Sequence, residues 1–195
     1  MIERTVVDTK VPWLEQRSIS AVIGVGAFVV MTALGAHVRI PLPFTPVPIT
    51  LQTFFVSLAG ATLGPALGPL SQSIYLVAGA IGFPIFAGGE GGLAYLLRGA
   101  TSGYLIGFVA ASTLVGWLIR RRENPGILWT LGSLAAGSLA IYVCGVTWLA
   151  WSLRLSLGSA IAKGVLPFLL GDVLKICSAT GLFRSYRCRA RTVIR

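Results

Sequence analysis

In the stretch "PFLLGDVLKI" an acid and a base, Asp172 and Lys175, stand among apolar residues on both sides. At spacing i, i+3 they share one face of a helix, so each can neutralise the other while both point into a bundle. A buried ion costs several kcal/mol even after relaxation, so the pair has two readings. It is either a self-satisfied ion pair that packs helices together or the polar centre of a ligand site. The second is favoured, because apolar residues in the same places would make a more stable helix interface.

Other polar tips are scattered through otherwise apolar runs: Gln52, Gln72, Tyr75, Thr101 and Tyr104. Singly, each is a common means for one membrane helix to hydrogen-bond another. Together with the charged pair, they would form a mostly apolar pocket with a few convergent donors and acceptors, the usual form of a small-molecule site. Arg98 ends a glycine-rich loop, where it would attract an anionic ligand or act as a solvated anchor. Glu90 in "GGEGG" and His37 are lone residues suited to an interface.

Other chemistry has little support. There is no G-x-x-x-x-G-K-[ST] phosphate loop, and "GGEGG" lacks the strand, helix and lysine that make glycine a nucleotide cradle. ATP hydrolysis is therefore expected from another protein. The lack of H-E-x-x-H, G-x-S-x-G and any Cys/His cluster speaks against an intramembrane hydrolase. Three cysteines, Cys144, Cys177 and Cys188, suggest neither a disulfide framework nor a metal site.

These residues must be positioned by membrane-spanning elements. The composition is 55% hydrophobic and only 11% charged, with a mean hydropathy of +0.82. Most of the surface must then face lipid, and 195 residues leave room for several spans but no separate soluble domain of ordinary size. One membrane domain, 1–195, is expected. Six apolar segments, 20–40, 49–64, 66–83, 100–119, 127–151 and 160–183, read as helices of an all-α, polytopic bundle. Membrane strands are disfavoured because no alternating pattern of about 10 residues is present. The first 19 residues lack the plan of a signal peptide, so the first span should persist.

The formal net charge of +10 fits topology better than nucleic-acid binding, because the cations cluster at span ends. With the N-terminus inside, Arg4, Lys10, Arg17, the run Arg120 to Arg122 and the tail cations Arg184, Arg187, Arg189, Arg191 and Arg195 are all cytoplasmic. Arg39, Arg98, Arg154 and Lys163 remain outside. An even span count also brings both termini to the cytoplasmic side. Segment 49–64 is short, and Gly64-Pro65 marks a tight inside turn. The stretch "VRIPLPFTPVP", with four prolines, favours extended backbone. The loop "GFPIFAGGEGGLAYLLRG" is apolar yet rich in glycine, so it should fold back on the bundle as a lid or as a structural plug.

Four motifs in order, "PVPITLQTFFVSLAGATLGP", "YLVAGAIGFPIFAGGEGG", "TSGYLIGF" and "GVLPFLLGDVLK", resemble the BioY family, the biotin-specific subunits of energy-coupling-factor transporters. The resemblance runs from about Val38 to Lys175. It implies a six-helix protein of the bacterial plasma membrane that captures biotin from outside. A transmembrane coupling protein and paired ATPases would supply the energy, and no resident cofactor is implied. Asp172 and Lys175 match the family's Gly-Asp-x-x-Lys element and are expected to bind biotin, with Gln52, Arg98, Thr101 and Tyr104 completing the site. Asp172 would accept from ureido N–H groups, while Lys175 or Arg98 would meet a carbonyl or the carboxylate. Where the family usually shows Gly-Pro-Thr-Gly-Gly-Tyr, this chain has Gly99-Ala100-Thr101-Ser102-Gly103-Tyr104. The rival reading is a stand-alone secondary transporter with Asp172 as proton carrier, weakened by the lack of a long internal repeat.

Overall fold

A computed structural model describes residues 12–193. Helix α1 (Pro12–His37) starts on a proline, whose missing N–H is no loss in a first turn. The chain then forms strands β1 (Arg39–Leu42) and β2 (Thr45–Thr50), paired antiparallel with Arg39 opposite Thr50 and Leu42 opposite Thr45. The proline-rich extended stretch is thus a hairpin, and the expectation of an all-α fold is corrected by it. Proline is tolerated because each strand of a two-stranded ribbon has an open edge. The register slips between Ile40 and Leu42, at Pro41, which has no N–H to give the ladder.

Segments 49–64 and 66–83 fall for the most part within α2 (Gln52–Ala80), broken at Gly64 with φ +87° and ψ −173°. Only glycine adopts that backbone readily. The break is a reversal: Gln52 and Tyr75, 23 residues apart, are hydrogen-bonded at 2.7 Å, whereas an unbroken helix would hold them about 35 Å apart. The predicted tight turn at Gly64-Pro65 is therefore present. Ile49 and Thr50 belong to β2 rather than to the helix. Gly60 lets α4 (Ser102–Arg120) approach closely, since a Cβ there would meet the Ser112 backbone.

Residues 81–101 fold back over the bundle and include the short helix α3 (Leu93–Arg98). Phe86 is fully buried, edge-on to Tyr75 and stacked on Tyr95, in space that exists only because residue 79 is glycine. After α4 come α5 (Ile127–Ser152), α6 (Leu157–Gly164), a 3-10 turn (Leu166–Phe168) and α7 (Leu169–Val193). The predicted segment 160–183 is thus divided. Pro167 has no N–H to continue a helix, and α7 runs past Phe183 into the arginine-rich tail.

Among the described residues, four helices are long and apolar enough to cross a membrane: α1 from Ile19 to His37, α2, α4 and α5. Large apolar side chains point outward from them and from α7. Leu128 is 84% exposed and Leu170 77%, which suits lipid and not water. This is a multi-pass membrane protein. Two buried clusters divide the core: one around Tyr75, Phe86, Tyr104 and Phe168, the other around Leu134, Val115 and Phe183. The Arg120 guanidinium lies against Gly64, Arg184 Nη1 donates to Pro125 O and Arg187 Nη2 to Glu123 O. These cations thus share the end of the bundle opposite the hairpin and the loop 81–101. Arg4, Lys10 and Arg195, expected on the cytoplasmic side, lie outside the described residues, as do the side chains of Arg17, Arg189 and Arg191.

Candidate functional site

The first turns of α7 place Asp172 and Lys175 beside the cluster at the hairpin end. Lys175 Nζ donates to Asp172 Oδ1 at 2.9 Å and to Thr53 Oγ1 at 3.1 Å. Asp172 Oδ2 accepts from the Tyr142 hydroxyl at 2.6 Å. The pair is mostly buried, with side chains 14% (Lys175) and 10% (Asp172) exposed. Asp172 sits in the first turn of α7, where the helix dipole favours a carboxylate. Three elements therefore hold one charged unit: α7, α5 through Tyr142 and α2 through Thr53.

That unit forms one wall of a cavity of about 60 Å³. Gln52, Thr101 and Tyr104 also line it, with Val47 and Pro48 from the hairpin and Ala87 from the loop above. Gln52 is oriented by neighbours: Thr50 Oγ1 donates to its Oε1 at 3.2 Å, and its Nε2 donates to the Tyr75 hydroxyl at 2.7 Å. Tyr75 in turn donates to Ile85 O at 2.9 Å, which ties the loop to the bundle. Thr101 precedes α4, its hydroxyl 3.0 Å from that of Tyr95.

Five of the six predicted site residues thus meet at one cavity. Arg98 does not; it ends α3, exposed and outside the lining. Tyr104 presents its ring, because its hydroxyl donates to Gly164 O at 2.9 Å. Gln72 accepts from Thr32 of α1 at 3.4 Å and is a packing contact between helices. His37 Nδ1 bonds Ala33 O of its own helix, at 2.9 Å. Tyr142 and Thr53 were missed. Nothing local distinguishes a tyrosine in "LAIYVCGV" from an interfacial aromatic, and Thr53 follows Gln52 in a run that reads as apolar.

Chemically, the cavity presents a carboxylate with lone pairs left over, an ammonium with one N–H left over among the described contacts, and an amide, all within apolar walls. Such a set is complementary to a small, largely apolar molecule that carries both N–H donors and a carbonyl. No group of residues able to hold a metal ion occurs among the described residues.

Comparisons with known proteins agree with this architecture. The sequence profile of the BioY family matches residues 8–192. The chain is 43% identical over 155 residues to the probable biotin transporter BioY of Pyrococcus horikoshii, covering 80% of this chain and 88% of that protein. It is 39% identical over 157 residues to the biotin transporter BioY of Thermotoga maritima, covering 80% and 89%. Its fold is similar to the crystal structure at 2.1 Å of the S-component for biotin from an ECF-type ABC transporter. The TM-score is 0.82 at 26% identity, over 88% of this chain and 93% of the other.

Proposed function

The chain belongs to the BioY family, and we propose that it is the substrate-capturing membrane subunit of a biotin uptake transporter. The observation that carries the site assignment is the cavity in which Asp172, Lys175 and Gln52 converge among apolar walls. Biotin supplies the complement: two ureido N–H donors, a ureido carbonyl, a thioether ring and an aliphatic acid chain. Asp172 accepts the ureido N–H groups, Lys175 or Gln52 donates to the ureido carbonyl, and Val47, Phe108 and Ile141 surround the rings.

The remaining features of the reading rest on charge and on chain reversal. Counting α2 as two spans, with α1, α4, α5 and α7, gives six, and both termini lie in the cytoplasm. The single membrane domain sits in the bacterial plasma membrane among lipid and binds no nucleic acid. A transmembrane coupling protein and paired ATPase subunits drive uptake, since this chain has no phosphate loop. A cavity of about 60 Å³ is smaller than the roughly 300 Å³ or more of a ligand pocket, so it widens to admit biotin, and the loop 81–101, which lends Ala87 to the lining, is the element that moves in this proposal.

The test is biotin binding by the purified chain in detergent, followed by uptake in proteoliposomes. Binding without partners, and accumulation only with coupling protein, ATPases and ATP, is the expected result. Concentration of biotin by this chain alone under a proton gradient would replace the reading with secondary transport.

A further inference from the structure

At the end of the bundle away from the cavity, a cleft of about 280 Å³ opens between the α4–α5 turn and α7. Arg184, Arg187, Asn124, Gly126 and Phe183 line it. Arg184 is fixed at the rim by one N–H on Pro125 O, out of the five N–H groups of a guanidinium. The Arg187 guanidinium stands 5.7 Å from the Phe183 ring centroid, over its face. In the turn itself, Arg121 stacks on Trp117 at 3.8 Å and Arg122 on Trp129 at 4.1 Å. Tryptophan with stacked arginine is the composition of a membrane–water boundary.

Directly beyond this cleft, and sharing Arg184 with it, a groove of about 440 Å³ runs between α5 and α7. Its walls are Ile127 and Leu131 of α5 and Cys177, Thr180 and Gly181 of α7. Thr180 is 4% exposed, and its Oγ1 has no hydrogen-bond partner among the described residues. It lies one helical turn, about 6 Å along the axis, from Arg184. A phosphate beside Arg184 with an acyl chain along the apolar walls one turn deeper matches the plan of a glycerophospholipid. Charge bias at the cytoplasmic side accounts for the arginines, but not for a cleft continued by an apolar groove.

We infer that this cleft and groove form a site for one anionic phospholipid, its phosphate at Arg184 and Arg187 and an acyl chain between α5 and α7. This is independent of the biotin site. The test is native mass spectrometry of the full chain in detergent, titrated with phosphatidylglycerol, with phosphatidylcholine of the same acyl chains, and with inorganic phosphate as competitor. One phosphatidylglycerol per chain should be retained in preference to phosphatidylcholine and resist phosphate. Arg184→Gln with Arg187→Gln should weaken it about 25-fold, at about fivefold per cation. Arg154→Gln, at the opposite end, should change nothing. Gly181→Leu places bulk in open space in the groove and should weaken lipid binding with both arginines intact. Retained biotin binding certifies that each variant is folded, and Gly181→Leu decides if the arginine variant is not. Equal retention of the two lipids, full displacement by phosphate, or an unaffected Gly181→Leu variant would overturn the proposal.

Discussion

Replacement of Lys175 by Met should separate a ligand site from a packing ion pair. It removes two hydrogen bonds, to Asp172 Oδ1 and Thr53 Oγ1, and leaves the carboxylate with Tyr142 alone. A charged hydrogen bond to a ligand is worth about 1.5 to 3 kcal/mol, so the Kd for biotin should rise by roughly one to two decades. Asp172→Asn should have an effect of similar size, because it removes acceptor strength from the ureido contact. Stability should behave differently. Breaking one partner of a buried pair costs about 3 to 5 kcal/mol, and the low end applies here because the pair borders a cavity. Removing both charges leaves no stranded ion, so the double variant should be more stable than the two single losses predict, by about 0.5 to 3 kcal/mol. The affinity losses should instead accumulate, since two ligand contacts have gone. Isothermal titration with biotin and thermal unfolding in the same detergent measure both quantities. Unchanged Kd in both single variants, with stability reduced, would refute the ligand role and leave a structural ion pair.

Arg98→Gln should change the Kd by no more than about twofold, the range of exposed substitutions outside a site; equilibrium binding checks this. Phe86→Ala removes the side chain that pins the loop between Tyr75 and Tyr95, so association and dissociation rates of biotin should both rise, as stopped-flow measurement would show. Gly64→Ala puts a Cβ at φ +87° against the Arg120 guanidinium. It should lower stability by about 1 to 3 kcal/mol, read from the thermal midpoint, with biotin affinity preserved in the folded fraction.

The charged pair was legible because an acid and a base three residues apart in apolar surroundings have few other uses, and the helical period alone puts them on one face. The reversal at Gly64-Pro65 was legible for a similar reason: few other dipeptides stop a helix so firmly. Tyr142 was not, since its partnership with Asp172 spans 30 residues and depends on how α5 and α7 pack. Arg98 was misplaced because a cation at the end of a covering loop reads the same whether it turns inward or outward. Pro167 was in plain view, yet the apolar run around it looked continuous, and the division between α6 and α7 went unread.

The bonds through Gln52 have a direction. Ile85 O can only accept, so Tyr75 must give its proton to the loop, and its oxygen must then receive from Gln52 Nε2. That orients the amide, turning its oxygen toward Thr50. With Tyr75 bonded to Ile85, the proton order is set from the loop inward, and the Gln52 amide is held in one orientation. If that contact with Ile85 is broken, Tyr75 loses its acceptor and the amide is free to invert, so the loop contact writes the hydrogen-bond polarity at Gln52.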